Sequence, residues 1–282
     1  MLLITDLDNT LYDWVTFHAN AFKALAGTLS QLLKVDEEVL LDEFKSVHQS
    51  YGDSEQIRAV LDLPSVRQRF DKVPTTTTIK ALQQAFDAYE NKRKDLLKLY
   101  PGVLQTLEQL KTLGVLVVAH TEARTSTAYD RLERLGILPL IHKLYALEST
   151  HGGYNDIIYG KHHEPPIDFV QTVPLSERKP NPQLVLDICQ REGIDTNDTL
   201  YIGDSIIRDI SMAKAAGVTA IWARYGTYYE NSLWNILVRV THWTDEDVLR
   251  ESELKKTLSN VKPDYIVERF GDLLSLIKDK TR

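Results

Sequence analysis

Cysteine is nearly absent from this chain: Cys189 is the single one among 282 residues. One thiol cannot close an internal disulfide or build a cysteine-rich metal site. It lies in the apolar helical pattern of Leu184, Leu186 and Ile188, so it reads as a buried, inert thiol and not a nucleophile. Long hydrophobic runs are also lacking, so no membrane span is expected. Positive charge is in the minority, with 33 Lys and Arg against 40 Asp and Glu and a net charge of −7. An extended nucleic-acid footprint would be basic, so neither nucleic acid nor membrane is an expected partner. No cationic leader precedes the first apolar strand, which begins at Leu2, and a cytoplasmic location is expected. There is no internal repeat and no low-complexity tract. Apolar residues make up 43% of the chain, enough for a sizeable core. The length suits one large domain, or a core with a smaller insert.

The chain is organised around its first fourteen residues. Leu2, Leu3 and Ile4 run into Asp6-Leu7-Asp8-Asn9-Thr10. A short apolar run closed by polar residues reads as a buried parallel strand, and open α/β sheets bind ligands at the ends of such strands. Asp6 and Asp8, two residues apart, share one face of an extended strand. Two carboxylates so close repel each other. A divalent cation, a shared proton, or a phosphate with its metal relieves that cost; an Asp that merely caps the next turn is the plainer alternative.

Residues 15 to 98 show helical spacing nearly throughout, as in Phe17, Ala21, Leu25 and Leu29, then Ile79, Leu82, Phe86 and Tyr89. Pro64, and Pro74 with the Thr75 to Thr78 run, are read as breaks. Tyr100-Pro101-Gly102 marks the return, followed by a helix that ends at Gly114. Val115 to Ala119 reads as a buried strand ending in His120-Thr121-Glu122, and Thr125 to Leu135 as a helix. Ile141 to Ala146 is a weaker third strand. Residues 148 to 178 fit no regular unit, with a hairpin tip at Gly152-Gly153. Arg178-Lys179-Pro180-Asn181-Pro182 opens the next helix. Thr199 to Ile202 is a strand ending in Gly203-Asp204-Ser205, the following helix stops at Gly217, and Val218 to Ala223 is a further strand. Residues 226 to 262 are another excursion, with an amphipathic helix through Leu233, Ile236, Leu237 and Val240. Tyr265 to Val267 and Leu273 to Ile277 close the sheet. Strands alternating with helices predict a parallel sheet with right-handed crossovers.

Asp6 and Asp8, Thr121, Lys179, and Asp204 with Asp209 thus stand at strand ends or at a helix start, on one edge of the sheet. An oxygen-rich acidic cluster suits Mg²⁺, which commonly bridges to a substrate phosphate. Lys179 would bind phosphate as a point cation, and Thr121 would donate to a phosphate oxygen. Asp6 would be the nucleophile and form an aspartyl-phosphate. Asp8 would protonate the leaving alcohol and then activate water.

This set of residues resembles the haloacid dehalogenase-like hydrolase superfamily. The family's Asp-x-Asp-x-Thr motif is matched by Asp6-Leu7-Asp8-Asn9-Thr10, and its strand-ending Ser or Thr by Thr121. Its Lys is matched by Lys179-Pro180, and its Gly-Asp-Ser-x-x-x-Asp by Gly203 through Asp209. The resemblance implies an α/β fold: a Rossmann-like parallel-sheet core, residues 1–14 and 100–282 with insertions near 148–178 and 226–262, and an inserted α-helical cap, residues 15–99. It implies a phosphatase using Mg²⁺ held by Asp6, Asp204 and the main-chain carbonyl of Asp8, with Asp209 acting from behind or through water. The expected substrate is a small phosphorylated metabolite, such as a nucleoside monophosphate, phosphoglycolate or a sugar phosphate. A phosphomutase, or a non-catalytic binding protein on the same fold, are the alternatives.

Glu122 departs from the family pattern, which often has Asn or Gly there. It is expected to offer its main-chain N–H to the substrate, with its side chain turned to the cap or to a substrate hydroxyl or amine; a solvated side chain at a helix start is the plainer alternative. His162-His163 read as solvated loop histidines. His120 could touch substrate or fill a strand end. Tyr225 to Tyr229 reads as packing, with a homodimer contact as the alternative.

Overall fold

The computed structural model describes residues 1–149, 166–258 and 260–280. Seven parallel strands form one sheet: β1 (Leu2–Thr5), β2 (Leu116–Arg124), β3 (Lys143–Leu147), β4 (Val170–Val173), β5 (Thr199–Gly203), β6 (Thr219–Ala223) and β7 (Tyr265–Val267). Their spatial order is β4-β3-β2-β1-β5-β6-β7. The chain builds outward from β1 to β4 on one side, then crosses back and builds outward from β5 to β7 on the other. The order therefore reverses at β1 and β5, where a doubly wound sheet opens a crevice beyond its strand ends. Thr5 pairs with Ile202 across that point, so Asp6 and Gly203-Asp204 leave the sheet side by side.

β1 is buried on both faces, which is why it reads as an unbroken apolar run. Leu3 joins a core cluster with α7 (Val103–Thr112), α8 (Thr125–Arg134) and the closing helix Leu273–Lys280. Leu2 and Ile4 face the other way, toward helices Pro182–Glu192 and Ser211–Ala215. The fold class expected from the sequence is the one observed.

Between β1 and α7 lie six helices: α1 (Trp14–Leu33), α2 (Glu37–Tyr51), α3 (Ala59–Asp62), α4 (Pro64–Arg69), α5 (Thr75–Ala81) and α6 (Gln83–Leu96). They enclose their own cluster, from Ala21 to Tyr89. The chain enters and leaves this insert at one place: Tyr12 bridges Leu99 and Tyr100 N–H donates to the Leu11 carbonyl at 2.8 Å.

Three readings change. The Thr75 to Thr78 run is not a break but the first turns of α5; Pro74 occupies the N-cap, where a missing N–H costs nothing, and burial of Thr78 and Ile79 outweighs the weak threonine propensity. Residues 148 to 178 do contain a regular unit, because β4 extends the sheet edge beside β3. The excursion after β6 holds two helices, Asn231–Val240 and Asp245–Leu258, and the first packs on α1 through Val15, Ala19, Leu233 and Leu237. Gly152-Gly153 and His162-His163 lie outside the described residues. Cys189 is buried and free, donating to Thr199 Oγ1 at 3.5 Å. Among the described residues no helix is long and apolar enough to cross a membrane.

Candidate active site

Beyond β1 the chain turns back tightly. Asn9 takes a left-handed conformation at φ 56°, and its N–H donates to the Tyr12 carbonyl at 2.8 Å. Its side-chain oxygen accepts from Trp14 N–H at 3.1 Å, while Asp13 caps α1 through Thr16 N–H at 2.8 Å. One short turn thus closes the strand end and opens the insert. The loop after β6 presses on it: a Cβ at Gly226 would lie 1.9 Å from the Asn9 carbonyl oxygen and 2.9 Å from Asp204 Cβ, so only glycine fits. Tyr225 seals the contact by donating to the Thr10 carbonyl at 2.6 Å.

Lys179 reaches the strand ends from the turn before helix Pro182–Glu192, which Asn181 caps. Its ammonium is buried, 2.6 Å from Asp6 Oδ1 and 2.8 Å from Asp209 Oδ1. Burial alone would depress this lysine, but Asp209 and Asp6 outweigh it and hold it well above its ordinary value. Asp6 is pushed up to about 7, first by burial and then by the charges of Asp209 and Asp8, with Lys179 opposing. Burial, Asp209 and Asp6 likewise raise Asp204 well above the carboxylate range. Asp209 is fully engaged. Besides Lys179 it accepts from Tyr201 Oη at 3.3 Å and from Ser205 N–H at 3.0 Å, and it packs where a Cβ on Gly203 would collide at 2.3 Å. His120 stands behind this group, with Nδ1 3.0 Å from Tyr201 Oη. Burial and the nearby Lys179 keep its ring neutral; it supports the strand end.

Asp6, Asp204 and Asp209 each present an oxygen within 4.8 Å of the others. Three acidic groups around one lysine carry excess negative charge once ionised, and their donors are all hard oxygens. That set fits a divalent cation such as Mg²⁺, which is held by a few carboxylates and retains waters. The Asp8 carboxylate is placed elsewhere. It points to α8, where Arg131 Nη1 donates to Oδ1 at 2.9 Å.

Thr121 is buried and its Oγ1 accepts from Ala123 N–H at 3.1 Å, which leaves its hydroxyl proton able to donate. Glu122 is met by Arg208, whose Nη1 lies 2.8 Å from Oε2. The side chain is therefore paired with the segment after β5 and not turned to the insert, one of the two directions expected for it. Asp6, Asp8, Thr121, Glu122, Lys179, Asp204, Arg208 and Asp209 line a cavity of about 1070 Å³. Its base carries Asp6, Asp8, Thr121, Lys179 and Asp204; Trp14, His18, Tyr229, Trp234 and Trp243 form its walls.

Sequence reasoning missed Arg131, Glu55 and the aromatic wall from the excursion after β6. Arg131 had a signal. It follows Ala128 by three positions and precedes Leu132, so it sits on the apolar face of its helix.

The fold is thus a doubly wound α/β sheet with a lysine-bridged acidic cluster at its switch point. The chain belongs to the haloacid dehalogenase-like hydrolase family, whose model matches residues 1–217; a second, HAD-hydrolase-like model matches residues 176–273. A glyceraldehyde 3-phosphate phosphatase from Methanopyrus kandleri is 25% identical over 98% of this chain and 97% of its own. A phosphoglycolate phosphatase from Haemophilus influenzae is 26% identical, covering 96% of each chain. Among solved structures, one described as a predicted phosphoglycolate phosphatase from Haemophilus somnus superposes with a TM-score of 0.52 at 22% identity, over 98% of this chain and 97% of that one. A 2-haloacid dehalogenase from Pseudomonas syringae gives 0.51 at 18% identity, over 99% and 98%. Both agree in fold.

Proposed function

We propose that this protein is a Mg²⁺-dependent phosphomonoester hydrolase acting on a small phosphorylated metabolite. The observation that carries the reading is the convergence of Asp6, Lys179, Asp209 and Asp204 at the switch point of the sheet. The phosphatase names of the similar proteins support the class. The metabolite's identity stays among nucleoside monophosphates, phosphoglycolate and sugar phosphates.

Asp6, Asp204 and the main-chain carbonyl of Asp8 would hold Mg²⁺, with Asp209 behind them. When bound, the ion supplies positive charge that lets a phosphate dianion approach a carboxylate. Lys179 orients Asp6 and adds a second cation beside the transferring group. Asp6 attacks phosphorus and forms the aspartyl-phosphate. Asp8 gives a proton to the departing alcohol oxygen, then takes one from the water that hydrolyses the intermediate. Thr121 and the Glu122 N–H donate to phosphate oxygens. The insert, residues 15–99, acts as the cap that walls the cavity and keeps bulk water from the intermediate.

The test is phosphate release from a panel of phosphomonoesters, with Mg²⁺ or chelator, for wild type and Asp6→Asn. Turnover that needs the metal and falls by more than roughly a thousandfold in the variant is expected. A folded, Mg²⁺-binding protein inert on every compound would remove the hydrolase reading.

A further inference from the structure

Arg131 is fully buried on α8, and its guanidinium is shared between two carboxylates from different parts of the molecule. Nη1 donates to Asp8 Oδ1 at 2.9 Å and lies 3.5 Å from Tyr12 Oη. Nη2 pairs with Glu55, which belongs to the loop between α2 and α3 of the insert. The plane is packed among rings, with its central carbon 5.1 Å from the Phe17 centroid and 5.8 Å from that of Tyr12. Glu55 is held from its other side by Trp14, whose Nε1 donates to Oε1 at 3.1 Å.

The loop that carries Glu55 is fastened to the core at a second point. Arg124, at the end of β2, donates to the Gly52 carbonyl at 2.9 Å and faces Asp53 Oδ2 at 3.6 Å. Asp53 in turn accepts from Glu55 N–H at 2.9 Å, which fixes the loop's shape. Glu55 therefore reaches Arg131 only when the insert is seated on the core as it is here.

A guanidinium is a rigid fork, and each arm held by a different carboxylate fixes the orientation of both. The Asp8 side chain is 26% exposed, against 0% for Arg131, and it lines the cavity. The fork thus holds one Asp8 oxygen from behind while the carboxylate remains open to the substrate side. An ion pair buried for stability alone is readily replaced by apolar packing; this one ends on the residue that would exchange protons with the leaving group.

We propose that Arg131 is the positioning residue for Asp8 and that Glu55 of the insert is its second anchor, so that seating of the insert sets the orientation of the acid. This rests on the phosphatase reading. Arg131 touches no reacting atom; it acts through Asp8. With Glu55 neutralised, the fork is free to turn both arms onto Asp8 and draw its carboxylate away from the leaving oxygen.

The experiment compares wild type, Glu55→Gln, Arg131→Lys and Arg131→Met on two substrates with Mg²⁺. One is an alkyl phosphomonoester the wild type hydrolyses, whose alkoxide must be protonated as it leaves. The other is p-nitrophenyl phosphate, whose phenolate leaves without a proton. Read in the pre-steady-state burst, Glu55→Gln should lower the rate of alcohol release from the alkyl ester roughly 10- to 100-fold while the rate of p-nitrophenolate release changes less than about threefold; hydrolysis of the aspartyl-phosphate, which also uses Asp8 and is common to both esters, should slow alike for the two. Arg131→Met should show the same selectivity more strongly, and Arg131→Lys should recover part of it. Arg131 is buried deeply enough that its variants could misfold, so Glu55→Gln, read beside its Tm, decides the matter. Equal losses in the two burst release rates, or no change in either for Glu55→Gln, would each overturn the proposal and leave the phosphatase reading intact. A wild type inert on both esters would remove both.

Discussion

Lys179 Nζ and Asp6 Oδ1 lie 2.6 Å apart in a buried pair, and the same ammonium lies 2.8 Å from Asp209 Oδ1. One cation thus holds together the first and last motifs of the site. Lys179→Met, which keeps the stem and removes the charge, leaves two buried carboxylates facing each other. It should cost about 3–5 kcal/mol of unfolding free energy in metal-free buffer, measured by urea denaturation. A loss below about 1 kcal/mol would show that the carboxylates are stabilised by something else.

Asp204 is expected to be a direct Mg²⁺ ligand. Saturating Mg²⁺ should raise the Tm of wild type, corresponding to about 2.7 kcal/mol at a hundred times Kd, and chelator should reverse the rise. Asp204→Asn should abolish the shift. A variant that still responded to the metal would move the binding site away from this cluster.

Two buried histidines make the insert sensitive to acid. Burial pushes His48 down to about 4, against a smaller opposing pull from its 2.6 Å hydrogen bond to the Val240 carbonyl. Burial, with the cations of Arg131 and Arg93, pushes His18 down to about 3. The unfolded chain therefore takes up protons from about pH 6.5 downward while the folded one does not. Their contribution is complete above pH 6.5 and is lost as the pH falls toward the folded values, with His48 alone accounting for roughly 3 kcal/mol. His48→Gln should flatten the decline of Tm between pH 6.5 and 4. An unchanged slope would assign the acid sensitivity to other groups.

Gly226 should be among the least replaceable residues of the chain. Its missing side chain is where the loop after β6 meets the Asn9 carbonyl, at 1.9 Å from an ideal Cβ. Gly226→Ala must displace one backbone or the other, at a cost of about 1–3 kcal/mol, and must move the turn between Asp8 and α1. A lower Tm together with reduced phosphatase turnover is expected. If neither changed, the loop would be free to yield.

The sheet was legible because its central strands are apolar runs that stop abruptly at polar residues: Ile4 into Asp6, Ile202 into Asp204. A strand buried on both faces can look like little else, and the ends of such strands share one edge. β4 was not legible. Val-Gln-Thr-Val at a sheet edge buries only Val173, too little to leave a pattern. Helix Asp245–Leu258 was missed because its polar sequence has almost no apolar stripe. The acidic cluster could be read from residue type and strand position. What surrounds Asp8 could not, since Glu55 and Arg131 are 76 residues apart in the chain and meet only through the docking of the insert, which no local pattern encodes.

Helix Asn231–Val240 arises from the core strands yet contributes Val240 to the apolar cluster of the insert, and its last carbonyl receives the His48 ring. Modular exchange between relatives must respect this. A chimera that took residues 15–99 from another member and kept the rest would expose Leu233, Leu237 and Val240 and leave the foreign helices without their flank. The transferable unit is discontinuous: it comprises the stretch between β1 and α7 together with the one after β6, and the two would have to be inherited or engineered as a pair.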